Sequence, residues 1–117
     1  MLRLIGATDR RVTSALTLTE ANRGVVRARI AGRISATQER QAVEALQTFA
    51  KRCAVVSVTD AVLQRAGQRF PHEPIRTLDA IHLATIEFLG GPPQRMTVLT
   101  RDKRVQDNAQ ALGYGTA

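Results

Sequence analysis

Tryptophan is absent from these 117 residues, aromatic side chains make up only 3%, and cysteine occurs once, as Cys53. Stacking of bases on aromatic platforms is therefore excluded as the main way of gripping nucleic acid. An internal disulfide is excluded too. Cys53 lies in an apolar segment, where a buried, unreactive thiol is expected. No apolar run approaches the roughly 18 residues of a membrane-spanning helix, and Met1-Leu2-Arg3-Leu4-Ile5-Gly6 is too short for a secretory leader, so a cytoplasmic protein without membrane association is expected. Lysine is scarce, with Lys51 and Lys103 alone.

With 44% hydrophobic residues the chain can bury one ordinary core, and a single domain over 1–117 is expected. The net charge of +7 is carried almost wholly by arginine, the side chain that grips phosphate bidentately. Nucleic acid or an acidic protein is the natural partner. Genomic coding bias produces the same composition, so charge alone does not choose.

Short apolar runs alternate with helical patterns along the chain. Met1 to Thr8 has the character of the last turn or two of a helix. Val12 to Ala15 is a β-branched run leading into a helix that reaches about Gly32, with Leu18, Ala21, Val25, Val26 and Ile30 on its apolar side and Arg23, Arg27 and Arg33 off it. Ser35 and Gln38 form a capping box for a second helix, ending near Arg52. Ala54 to Val58 is of strand type. Thr59-Asp60 caps a third helix, and first-turn capping fully accounts for Asp60. His72 and Glu73, between Pro71 and Pro74, read as a solvated loop.

The stretch Arg76 to Thr85 organises the rest. Leu78, Ile81, Ala84, Thr85, Phe88 and Leu89 recur at helical spacing, and Asp79 stands one residue from that stripe, where an unpaired charge is costly. Capping by Thr77 and the helix dipole would compensate it in part, a metal ion far better. Gly90-Gly91-Pro92-Pro93 ends this helix. Met96 to Thr100 is the clearest strand and runs into Arg101-Asp102-Lys103 and a last helix closed by Gly113.

This alternation predicts an α/β domain with a mostly parallel sheet flanked by helices. Functional residues of such sheets lie beyond the carboxyl ends of the strands, where Glu20, Asp79 and Asp102 fall. Three carboxylates in one crevice repel one another unless a hard divalent ion joins them, and oxygen ligands favour Mg²⁺ or Mn²⁺. Spacing alone does not establish that they meet, and Glu20 by itself reads as an ordinary first-turn acid favoured by the helix dipole.

The decamer R-T-L-D-A-I-H-L-A-T closely resembles the third acidic motif of PIN-domain ribonucleases, in particular the VapC toxins of bacterial toxin-antitoxin pairs. Ser14 to Glu20 resembles the second motif and Val98 to Asp102 the fourth. The resemblance implies a metal-dependent endoribonuclease using Mg²⁺ or Mn²⁺. Glu20, Asp79 and Asp102 are then catalytic and metal-site residues, Thr100 a supporting hydroxyl, and Arg23, Arg27, Arg76 and Arg101 phosphate contacts. Asp107 is a weaker metal candidate, and His82 is expected to be a packed helix residue rather than a ligand. The resemblance also implies RNA and a VapB-type antitoxin as partners, and a homodimer in complete members.

One departure stands against it. The family opens with a central strand carrying the first acidic motif, apolar-apolar-Asp-x-Ser, which this chain lacks. About four buried side chains at about 1.5–3 kcal/mol each rival the about 5–15 kcal/mol that stabilises a whole domain. Two unpaired sheet edges are therefore expected. The chain then reads as a misassigned start, a gene remnant or a poor folder, and as inactive or incomplete. The alternatives are a non-catalytic PIN remnant binding RNA or antitoxin, and a basic α/β protein-interaction scaffold.

Overall fold

The computed structural model describes residues 3–6 (backbone only), 11–89, 93, 96–100 and 102–117. The elements are β1 (Arg3–Gly6), β2 (Arg11–Ser14), α1 (Ala15–Ile30), α2 (Ala36–Lys51), β3 (Ala54–Val56), α3 (Asp60–Ala66), α4 (Thr77–Phe88), β4 (Met96–Leu99), α5 (Lys103–Ala111) and β5 (Gly115–Thr116). The sheet order is β3-β2-β1-β4-β5. β2 pairs parallel with β3 and β4 with β5. β1 is antiparallel to both of its neighbours, so β2 and β4 point the same way and β1 alone runs against them.

β1 corrects the expectation of a helix end over Met1 to Thr8. Four residues are too few for a stable isolated helix turn, whereas between two strands their backbone groups find partners on both sides. Leu4 pairs with Val12 on one side and Val98 on the other. The unpaired edges expected on β2 and β4 are not found, because both strands pair with β1. β1 fills the slot between them in the opposite direction.

Local sequence accounts for most boundaries. The Ser14 side chain accepts the Thr17 N–H at the start of α1, Ser35 and Gln38 make the reciprocal capping box of α2, and Thr59 caps α3. Gly113, at φ +97°, ends α5: its N–H reaches the Gln110 carbonyl and the next N–H, of Tyr114, reaches that of Ala109. This left-handed C-terminal motif buries Tyr114 and Ala109 together in the core.

Two expectations for α4 change. Thr77 is its first helical residue, and the capping position belongs to Arg76, whose side chain makes no cap hydrogen bond. The buried side also differs, because α4 packs against both α3 and α5. Leu83, Ala84 and Ile86 join Val62, Val98 and Val105 in the core, while Leu78 and Phe88 are half exposed. Asp79 and His82 are among the buried residues. Cys53 is only half-buried, not enclosed as expected.

Candidate functional site

Since β2 and β4 run in the same direction, the starts of α1 and α5 lie at the same end of the sheet. α4 presents its first two turns there. Asp79, 8% exposed, receives a hydrogen bond from Arg76 Nε at 3.2 Å to Oδ2. Arg76 Nη2 donates to Asp102 Oδ2, also at 3.2 Å. Two carboxylates from separate elements thus meet on one edge of a single guanidinium. Arg76 is correspondingly harder to deprotonate than a free arginine, chiefly through its hydrogen bond to Asp79 and then the charges of Asp79 and Asp102.

Asp102 also does structural work that the sequence did not assign to it. Its Oδ1 accepts the N–H groups of Arg104, at 2.9 Å, and Val105, at 3.2 Å, so it is the N-cap of α5. Thr100 holds it in place, the hydroxyl accepting the Asp102 N–H at 3.1 Å while the Thr100 carbonyl accepts Gln106 Nε2.

Glu20 takes a different partner. It sits in the second turn of α1, not the first as expected. Its Oε1 lies 2.5 Å from His82 Nε2, and His82 Nδ1 lies 3.5 Å from the Thr17 hydroxyl. His82 was expected to be a packed residue, and it is buried, yet it also ties Glu20 to α4. The signal was its place three residues after Asp79, on the same helix face.

The structure therefore joins Asp79 to Asp102 through Arg76, and Glu20 to His82, on neighbouring parts of one helix. It does not gather all three acids: among the described residues no group of three or more His, Cys, Asp or Glu stands close enough to hold a metal. The Asp79–Asp102 pair by itself fits a hard divalent ion in donor chemistry, since Mg²⁺ is commonly bound by one or two carboxylates with water and phosphate completing its shell. Glu20 does not complete that set here. Asp107 pairs with Lys103 at 2.7 Å, away from these acids.

Of the arginines, Arg23 and Arg27 are exposed on the face of α1 that carries Glu20, three and seven residues on, and neither has an ion pair among the described residues. Arg101 lies outside the described residues.

The loop before α4 is held firmly. Glu73 accepts the N–H groups of Phe70 and Ile75, both at 2.9 Å. Asn108, fully buried on α5, accepts the His72 N–H at 2.8 Å and donates to the His72 and Arg104 carbonyls. This bracing fixes where Arg76 and Asp79 enter the site.

The PIN domain family matches residues 1–111. The chain is a PIN domain. Two relatives from Mycobacterium tuberculosis are similar over part of it. Ribonuclease VapC35 is 38% identical over 53 residues, 45% of this chain and 39% of the relative. Ribonuclease VapC46 is 46% identical over 59 residues, 50% of this chain and 43% of the relative. The aligned stretches thus span about two-fifths of these relatives. No solved structure gives a significant match. PIN-domain nucleases generally use divalent metal ions. Among the described residues no helix is long and apolar enough to cross a membrane.

Proposed function

We propose that this PIN domain is a VapC-type, metal-dependent endoribonuclease unit that hydrolyses RNA phosphodiesters. The observation that carries the reading is the meeting of Asp79 and Asp102, from α4 and the start of α5, on one cation. In this reading the two aspartates hold Mg²⁺ or Mn²⁺, and Glu20, tied to α4 through His82, is the third acid. The ion, when bound, supplies an activated water and neutralises charge on the departing oxygen. Thr100 orients Asp102 through its backbone N–H, and His82 orients Glu20. Arg23 and Arg27, exposed along the Glu20 face of α1, draw the RNA backbone, with Arg76 and Arg101 as further phosphate contacts. RNA is the substrate, a VapB-type antitoxin the partner, a homodimer the assembly and the cytoplasm the setting.

The test is cleavage of a labelled RNA with and without Mg²⁺ by the purified chain and by Asp79→Asn. Any Mg²⁺-dependent cleavage by the chain is expected to disappear in Asp79→Asn, and undiminished cleavage by the variant removes Asp79 from the mechanism.

One observation favours a second reading, a non-catalytic PIN remnant that binds RNA or antitoxin. The third acid is engaged by His82 and does not complete a metal cluster among the described residues. RNA binding without turnover, indifferent to Mg²⁺, is its signature.

A further inference from the structure

We infer that Arg76 is a built-in competitor of the divalent ion, the resident counter-ion of the Asp79–Asp102 pair, which a metal gains only by displacing it. This rests on the metal-binding reading above and concerns what regulates that site.

Nε and Nη2 are adjacent donors of one planar fork, and each is 3.2 Å from an aspartate Oδ2. The two oxygens that converge from different elements are therefore both occupied by a single positive charge. A hard dication needs those same oxygens and is repelled by a guanidinium held beside them. Asp102 has no idle oxygen to offer instead, because its Oδ1 caps α5.

Mobility is unequal on the two sides of this contact. The Arg76 side chain is 75% exposed, whereas that of Asp79 is 11% exposed. The guanidinium can therefore swing into solvent by rotamer change while the acids stay where α4 and the α5 cap fix them. Without metal, Arg76 keeps a nearly buried carboxylate paired. With metal, the released fork matches a phosphodiester in shape and charge. Metal and RNA backbone then favour the same displaced position of Arg76, and each makes room for the other.

The experiment is thermal denaturation by circular dichroism across a MnCl₂ series, on the wild-type chain, Arg76→Gln, Arg76→Lys and Asp79→Asn. A ligand that binds the folded state raises the melting temperature. Arg76→Gln is expected to melt lower than wild type without Mn²⁺ and to reach half its Mn²⁺-induced shift at about tenfold lower concentration, a coupling of ordinary size between two competing ligands. Arg76→Lys, which keeps the charge but not the fork, falls between, and carries the comparison if Arg76→Gln does not fold. Asp79→Asn shows no Mn²⁺ shift. Equal Mn²⁺ requirements in wild type and the Arg76 variants, with the shift lost in Asp79→Asn, overturn the competition and leave the metal site standing. Absence of a Mn²⁺ shift in wild type and both Arg76 variants overturns the metal reading, and this inference with it.

Discussion

His82 Nε2 and Glu20 Oε1 lie 2.5 Å apart, joining two helices whose residues are 62 positions apart in the chain. Behind the ring, the Thr17 hydroxyl is next to Nδ1, and Thr17 in turn is held by Ser14 through both its N–H and its hydroxyl. With Nε2 against the carboxylate and Nδ1 against the Thr17 hydroxyl, both ring nitrogens of a buried imidazole have a partner.

His82→Ala removes that link and leaves Thr17 facing a gap. A loss of about 1–3 kcal/mol is expected, the usual penalty when buried polar partners are left unpaired. Urea denaturation measures it, and His82→Gln, which can still donate, should recover part of the loss. No change in His82→Ala would mean that the contact is incidental to how α1 docks on α4.

Asp102 has two separable duties. Asp102→Ala abolishes both the cap and the acid and should cost about 0.5–2 kcal/mol. Asp102→Asn keeps a capping oxygen, so its stability should stay near that of wild type. Under the proposed function it should still lose Mg²⁺-dependent cleavage. Stability and cleavage measured side by side on the two variants separate the roles.

Glu73 supplies a pH dependence of defined sign. Its carboxyl is held below the usual glutamate range, first by the Phe70 N–H, with burial opposing and the Ile75 N–H and Arg69 adding to the effect. The unfolded chain therefore binds this proton more readily than the native one. The stabilisation is complete above the unfolded value and is lost as pH falls through the folded one. Between pH 6 and pH 3, Glu73→Gln should show a flatter loss of melting temperature than wild type.

Asn108 braces the same loop from α5 with three hydrogen bonds and no exposure. Asn108→Ala should destabilise by about 1–3 kcal/mol for the main-chain groups of His72 left unpaired, read by urea denaturation. The loop precedes Arg76, so the variant should also weaken any Mn²⁺-induced stabilisation.

β1 is tested by Ile5→Pro. Proline has no N–H to give the ladder and belongs only at sheet edges, yet Ile5 lies opposite both Arg11 and Thr97. The loss should be at least that of a hydrogen bond, about 0.5–1.5 kcal/mol, before the ring's clashes are added. An unchanged melting curve would show that the antiparallel insertion does not hold the sheet together.

The sequence by itself determined the helices, most of their boundaries, the parallel strands and the family. These depend on local chemistry: Ser14, Ser35 and Thr59 find their capping partners within three residues, Gly113 takes up the conformation that ends α5, and the acidic motif around Asp79 is contiguous. Tertiary structure alone decided what each acid touches. Arg76 reads along the chain as a phosphate contact, and only folding brings Asp102 across 26 positions to share its guanidinium with Asp79. His82 reads as core, and only the crossing of α1 and α4 gives it Glu20. The direction of β1 was illegible for the same reason: four residues carry no preference of their own between a frayed helix turn and a strand. The open hydrogen-bonding groups of β2 and β4, distant in sequence and adjacent in space, make the choice.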